Sequence, residues 1–228
     1  MSNKPTIIIL CGGRGERLRP LTNTIPKPLI RIKGKPIIGH LVDYLISEKF
    51  NKFIFATGYK SKEIKKYIIK KYNKFDISFV NNKEASIIER IQNCITKLNE
   101  STIICYADTI ANIDFKKYLS IIDKNKPDTL MTIYQPESKF GVVHCGKKKL
   151  IKYFEEKPLL SHWINIGYFY LNKNQFKSID KFKDFVFFIK NKIKKKKLLY
   201  FQHKKLHITV NSVTELVEAK KNIHHFKQ

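Results

Sequence analysis

Apolar residues along the 228-residue chain fall into runs of two lengths that alternate. Short continuous runs at residues 7–10 (Ile-Ile-Ile-Leu), 52–57, 76–80, 102–106 and 130–134 read as buried strands, the first as a strand apolar on both faces. Between the first three lie longer stretches: residues 37–49, with Ile37, Ile38, Leu41, Tyr44 and Leu45 at near-helical spacing, and residues 61–72, with Ser61 as a candidate N-cap. Strand, helix, strand, helix, strand is a doubly wound pattern. The expected fold is α/β, a Rossmann-like mixed, mostly parallel sheet flanked by helices. Residues 140–145 and 150–154 predict a hairpin across a Gly-Lys-Lys-Lys turn, and residues 163–168 a strand after a Lys-Pro turn. Residues 182–193 predict an amphipathic helix that ends in a lysine run, and residues 198–201 and 207–210 short strands. Asp114 can cap a helix starting at Phe115, and Ser212 and Glu215 are spaced as a capping box for a last helix at 213–219.

Composition narrows the class. A hydrophobic content of 43% with 28% charged residues suits a globular domain. No apolar run approaches the ~20 residues of a membrane helix, and the N-terminus enters the first strand without a signal-peptide pattern. Cys11, Cys94, Cys105 and Cys145 are scattered without C-x-x-C spacing, as in reduced thiols rather than a disulfide frame or a zinc site. The expected location is cytoplasmic, with no membrane partner. The net charge of +26 would suit a nucleic-acid binder, but the lysines are spread over the whole chain and no aromatic-basic motif accompanies them. No nucleic-acid partner is expected; attraction of anionic substrates is the secondary benefit of the charge.

The candidate chemistry begins where the first strand ends. Leu10-Cys11 runs into Gly12-Gly13-Arg14-Gly15-Glu16-Arg17, followed by Pro26-Lys27-Pro28-Leu29. Glycines let backbone N–H groups converge on an anion, and Arg14, Arg17, Arg19 and Lys27 surround them with positive charge. A polyphosphate cradle at the carboxyl end of the first strand is the physical reading. The dinucleotide fingerprint is excluded because the sixth place, Arg17, is not glycine; the Walker loop is excluded because Gly-Lys-Ser/Thr is absent.

The stretch from Ile7 to Pro36 resembles the signature of the nucleotidyltransferases that make nucleotide-activated sugars and related metabolites. Gly12, Gly13, Gly15, Arg17, Leu18, Pro26, Lys27, Pro28, Lys35 and Pro36 fall in its pattern, while Glu16 stands where the family usually has Thr. The likeness continues in patches to the C-terminus. It implies one domain over residues 1–228, with a nucleotide-binding half at 1–115 and an acceptor-binding half at 116–228. It implies a nucleotide held by Leu10, Cys11, Gly12, Gly13 and Gly15, with Arg17 and Lys27 as the catalytic cations. Ser86 lies where the family contacts the base, in a stretch whose usual glycines this chain lacks; it reads as a base contact or as the cap of the following helix.

Asp108 sits just past a strand end on the rim of the glycine loop. The resemblance makes it a nucleotide-side residue and the Mg²⁺ ligand, since Mg²⁺ takes one or two carboxylates and completes its shell with phosphate oxygens and water. Many relatives have a second metal Asp at the position of Asn211, which offers an uncharged carbonyl oxygen. Tyr106-Ala107-Asp108-Thr109-Ile110-Ala111-Asn112-Ile113-Asp114 is similar to a Tyr-Gly-Asp-Gly-Val-x-Asp-Val-Asp phrase of cytidylyltransferases, and Gly58-Tyr59-Lys60 to a turn in the same enzymes; the turn also reads as a plain strand-to-helix connection. CTP is therefore the expected nucleotide. Glu156-Lys157-Pro158 and Ile164-Asn165-Ile166-Gly167 match the family's Glu-Lys-Pro and Ile-Asn-x-Gly. By that match Lys157 holds the acceptor phosphate, Glu156 and Asn165 bind its other polar groups, and Gly167 allows a ligand to come close.

The implied reaction moves CMP from CTP to a phosphorylated small metabolite and releases pyrophosphate, in a monomer or homodimer. Three acceptors stay open. A sugar 1-phosphate is the family default. A non-sugar phosphate is the second, as in the cytidylyltransferases that activate L-glutamine phosphate for capsule modification. The third is heptose or mannose 1-phosphate with guanylyl transfer. Because Glu16 and Asn211 depart from the pattern and the charge is high, a non-catalytic nucleotide binder or an RNA-binding protein is the reading of another class.

Overall fold

The computed structural model describes residues 4–96 and 98–226. Its centre is a seven-stranded sheet. The strands are β1 (Thr6–Leu10), β2 (Lys52–Thr57), β3 (Asp76–Asn81), β4 (Thr102–Tyr106), β5 (Thr129–Tyr134), β6 (Ile164–Leu171) and β7 (Leu198–His203). The helices packed on them are α1 (Ile37–Ser47), α2 (Ser61–Tyr72), α3 (Ile87–Ile95), α4 (Phe115–Asn125), α5 (Phe185–Lys194) and α6 (Val213–Asn222). Across the sheet the order is β7-β5-β6-β4-β1-β2-β3, and β6 alone runs against the other strands. The expected mixed, mostly parallel architecture is the one observed.

The continuous apolar run of β1 has its explanation in this arrangement. Ile8 lies between Ile54 of β2 and Ile104 of β4. Ile7 and Ile9 point into one core with Phe53, Phe55 and Ile103, covered by Leu41 of α1, Ile64 of α2, Tyr118 of α4 and Leu216 of α6. Ile8 points into a second core with Ile54 and Ile104, covered by Ile91 of α3 and Phe188 of α5. A strand with both faces in a core has no polar alternation to show.

The element ends follow local hydrogen bonds. Asp114 caps α4, its Oδ1 accepting from Lys117 N at 3.1 Å, as expected. Ser61 does not cap α2. The chain enters that helix through Lys60 at φ 49°, and the Ser61 hydroxyl donates instead to Thr57 Oγ1 at 2.9 Å. The helix expected from residue 182 begins later, because Asp184 accepts from Val186 N at 2.7 Å and from Phe187 N at 3.1 Å. Among the described residues no helix is long and apolar enough to cross a membrane.

Three histidines are held uncharged inside this fold. Burial lowers the pKa of His40 and of His203, and burial together with His203 pushes His207 down to about 4. In the unfolded chain each would take up a proton near 6.5, so the stability they contribute is complete above that pH and is lost as pH falls toward 4. The melting temperature is expected to be flat on the alkaline side of this window and to fall within it, as calorimetry across the range would read.

Candidate active site

The glycine loop is an extension of β1 that is locked from beneath. Cys11 N still donates to Ala56 O at 3.0 Å, one residue past the strand. The carbonyl of Gly12 then accepts from Tyr59 N at 3.0 Å and from Arg90 Nη2 at 3.3 Å. Arg90 rises from α3 and is only 7% exposed. It also donates Nη1 to Thr57 O at 3.0 Å and Nη2 to Lys83 O at 2.9 Å. One guanidinium thus fastens the glycine loop to the end of β2 and to the loop after β3. Burial lowers its pKa, yet an arginine stays protonated in proteins, so three carbonyl dipoles here compensate a buried cation. A Cβ on Gly12 would lie 1.9 Å from Arg90 Nη1, which is why only glycine fits there. Gly15, at φ 65°, turns the chain into a 3₁₀ turn at Glu16–Leu18, and around Gly13 there is open space.

The charged cluster of the site comes from three further segments. Lys27 follows Pro26 in the short turn Lys27–Leu29. Its ammonium lies 2.5 Å from Asp108 Oδ2 and donates to Asn211 Oδ1 at 2.8 Å. Arg17 Nη2 donates to the same Asn211 oxygen at 3.1 Å. A small antiparallel pairing of His207–Thr209 with Thr109–Ala111 brings the two oxygens together, and Val210 N donates to Asp108 O at 3.1 Å. Asn211 is oriented by its own bonds: its N–H meets Glu215 Oε2 at 2.5 Å and its Nδ2 meets Thr209 Oγ1 at 3.1 Å, leaving Oδ1 for the cations. Glu215 therefore completes only half of the expected capping box. Its N–H donates to Ser212 Oγ at 3.2 Å, while its carboxylate serves Asn211.

Asp108 and Asn211 present hard oxygen donors to one cation position, now filled by the Lys27 ammonium. Among the described residues no group of three His, Cys, Asp or Glu could hold a metal ion. The donor set fits a Mg²⁺ ion whose shell is completed by phosphate oxygens and water.

These groups line a cleft of about 580 Å³. Apolar Leu10, Ile87, Tyr106 and Ala107, charged or polar Arg17, Lys27, Asp108 and Asn211, and the glycines of the loop all contribute to its lining. A ligand with both an apolar ring and a polyphosphate matches that mixed lining. Burial and then the nearby Asp108 push the Tyr106 phenol up to about 12, and burial pushes the Cys11 thiol up, so both stay protonated at neutral pH and Cys11 is no nucleophile.

Of the residues singled out from the sequence, Leu10, Cys11, Gly12, Gly13, Gly15, Arg17, Lys27, Asp108 and Asn211 line this one cleft. Ser86 takes the capping alternative. Its Oγ accepts from Glu89 N at 3.4 Å and its N–H donates to Glu89 Oε2 at 2.7 Å, while Ile87 and Arg90 of the same helix line the cleft. Gly167 allows a close approach, but by a protein ring: a Cβ there would lie 2.6 Å from Tyr106 Cδ2. Its N–H donates to Asn165 Oδ1 at 2.8 Å, so Asn165 shapes the backbone that seats Tyr106. Glu156 and Lys157 are exposed, 3.9 Å apart, outside the residues that line the cleft. Arg90 is absent from the sequence-based set. Its signal is an arginine set among Ile88, Ile91, Cys94 and Ile95 on the buried side of an amphipathic helix.

An α/β sheet with a glycine-walled, cation-lined cleft at the carboxyl ends of the adjacent strands β1 and β4 defines a nucleotide-binding enzyme fold. Residues 6–210 match the model of the Nucleotidyl transferase family, and the chain belongs to that family. It is 27% identical over 240 residues to a probable glucose-1-phosphate cytidylyltransferase of Bacillus subtilis, covering 94% of both chains. It is 32% identical over 178 residues to a mannose-1-phosphate guanyltransferase of Schizosaccharomyces pombe, covering 72% of this chain and 49% of that one. The chain thus spans about half the length of such guanyltransferases. Among solved structures, a putative glucose-1-phosphate thymidylyltransferase of Bacillus anthracis shares the fold with a TM-score of 0.76 at 22% identity, covering 96% of this chain and 94% of that one. HddC of Yersinia pseudotuberculosis complexed with GMP-PN shares it with a TM-score of 0.71 at 22% identity, covering 96% of this chain and 100% of that one.

Replacing Arg90 by Met would take the guanidinium from three carbonyls, of which Gly12 O and Thr57 O keep main-chain donors in Tyr59 N and Asn82 N. The expected loss of stability is about 2–4 kcal/mol by denaturant titration, with Arg90→Lys recovering only part of it because an ammonium cannot reproduce the fork.

Proposed function

We propose that this chain transfers CMP from CTP to the phosphate of a small metabolite and releases pyrophosphate. The observation that carries the proposal is the convergence of Lys27, Asp108, Asn211 and Arg17 in a glycine-walled cleft. An oxygen of the acceptor phosphate attacks the α-phosphorus; the bond from that phosphorus to the bridging oxygen breaks, and its electron pair leaves on pyrophosphate. The acceptor phosphate is largely ionised at neutral pH, its second pKa being about 6, so no general base is required. The work left to the protein is alignment and neutralisation of charge.

The backbone of residues 12–15 and the guanidinium of Arg17 bind the leaving pyrophosphate. Lys27, released from its partners by the arriving triphosphate, neutralises the α-phosphate. Asp108 and Asn211 would hold Mg²⁺, which would supply neutralisation of charge on the phosphates. The apolar lining residues Leu10, Ile87, Tyr106 and Ala107 take the base and ribose. CTP is favoured by the Tyr106–Asp114 phrase and by the B. subtilis relative described as a cytidylyltransferase. Glu156 and Lys157 receive the acceptor when it docks at the foot of the hairpin. The relatives' names favour a sugar 1-phosphate; Asn211 in place of an aspartate favours a non-sugar acceptor such as L-glutamine phosphate, with the product entering capsule or other cell-surface polysaccharide synthesis. The enzyme is cytoplasmic in this reading.

Pyrophosphate release measured for each of the nucleoside triphosphates against both acceptor types with Mg²⁺ is expected to be greatest with CTP; release with none of the pairs would refute the proposal. Lys27→Ala and Asp108→Asn are each expected to lower kcat by about 10²-fold or more while the melting temperature stays near that of the parent. Asn211→Asp adds a second carboxylate to the cation position. It should raise the affinity for Mn²⁺ without nucleotide by about tenfold, read by electron paramagnetic resonance titration.

A further inference from the structure

Helix α5 is apolar on two sides, and the core of the protein uses only one. Phe188 lies in the second core with Phe185 and Ile189 packed against it. Lys192 on the same side is buried, its ammonium 3.6 Å from Asp128 Oδ2. The opposite side carries Val186, Phe187, Lys190, Ile193 and Lys194. Their spacing (i, i+1, i+4, i+7, i+8) gathers them into one stripe. All five are exposed, the apolar three to 57% at Val186, 68% at Phe187 and 59% at Ile193. Exposed apolar surface of this kind, rimmed by polar groups, marks an interaction site.

The charge around the stripe is of one sign. Residues 181–197 hold eight lysines and a single acid, Asp184, whose Oδ1 accepts from Val186 N and Phe187 N. Among the described residues, Lys192 is the only one of the eight lysines in an ion pair. A groove of about 430 Å³ beside the helix is lined by Lys181, Lys183, Lys190 and Lys194 together with Phe182 and Phe187, and by no acid. Such a face selects a partner that is anionic, apolar beneath its charges, and flat. A partner that closes around a helix is excluded, because the far side of α5 is in the core. The phosphate chain of a nucleic acid would meet the lysines but give Val186 and Ile193 no apolar medium to enter. A bilayer with anionic lipids meets both demands. The apolar stripe enters the headgroup boundary, and the lysine stems lie along it with their ammonium groups on the lipid phosphates. A helix that lies in the plane of the interface needs no spanning run, so the lack of one does not bear on this contact. None of residues 181–197 lines the cleft, whose lining stays free when α5 is covered.

We propose that the outer face of α5 docks this protein on anionic membrane surfaces, whatever reaction its cleft performs. The parent chain is expected to co-sediment with vesicles of equal parts phosphatidylglycerol and phosphatidylcholine, to be released as salt is raised, and to ignore vesicles of phosphatidylcholine alone. Phe187→Ser combined with Ile193→Ser should lower binding by about tenfold or more through the apolar contact. Lys190→Glu combined with Lys194→Glu should lower it by about tenfold or more through the charge. All four positions are exposed and outside the cores, so the melts of these variants should match the parent's. Lys62→Glu combined with Lys66→Glu makes the same charge change at exposed positions of α2 and should leave binding within about twofold of the parent's. A parent chain that does not sediment with the anionic vesicles overturns the proposal. Unchanged binding in the serine variant, or an equal loss in the α2 variant, overturns it too. Retention on single-stranded RNA that competes with the vesicles and is indifferent to the serine changes would assign the face to nucleic acid and overturn it as well.

Discussion

The guanidinium of Arg90 lies inside the protein and is balanced by main-chain dipoles, its hydrogen bonds going to the carbonyls of Gly12, Thr57 and Lys83. Those carbonyls belong to three separate segments; Gly12 O and Thr57 O also accept from Tyr59 N and Asn82 N, and Lys83 O is met by the guanidinium. A buried, forked cation is the one side chain that can reach all of them at once. The glycine loop, the end of β2 and the loop after β3 therefore move as one unit. Gly12 is the steric counterpart of that cation, and Gly58 is a second, since a Cβ there would lie 2.4 Å from Lys83 O and 2.8 Å from Arg90 Nη1.

On this rigid wall the ionic cluster is adjustable. Lys27 and Arg17 share the oxygen of Asn211, and Asp108 is the single carboxylate among them. Arg14, Arg17, Lys27 and Arg90 outnumber Glu16 and Asp108 in the lining, which suits an incoming polyphosphate better than an isolated metal ion. The neutral amide at 211 is consistent with this balance: a second carboxylate there would hold Lys27 more firmly and reduce the excess charge. In the proposed reaction the ammonium serves as the resident cation that the substrate's own charge draws away.

The hairpin of Val142–Cys145 with Ile151–Glu155 stands apart from both features. It draws nothing from the cores, and the residues that the family likeness connects with an acceptor, Glu156 and Lys157, lie at its foot and not in the cleft.

Much of this was present in the order of residues. The triple isoleucine of β1 announced a strand buried on both faces, and the glycines and cations after it announced an anion site, because both signals are local and set by backbone geometry and charge. Asp114 could be read as a cap for the same reason. Ser86 could not be resolved, since a serine before an amphipathic run offers its hydroxyl to a base or to Glu89 N; the folded helix shows the second of these contacts. Arg90 was hidden because its partners are carbonyls, which leave no trace in side-chain identity. The meeting of Asp108 with Asn211 depended on pairing two short strands about a hundred residues apart. The sequence by itself determined which segments would be strands and where charge would gather; the tertiary structure alone decided which polar groups would face one another, because that depends on contacts between segments that no local pattern encodes.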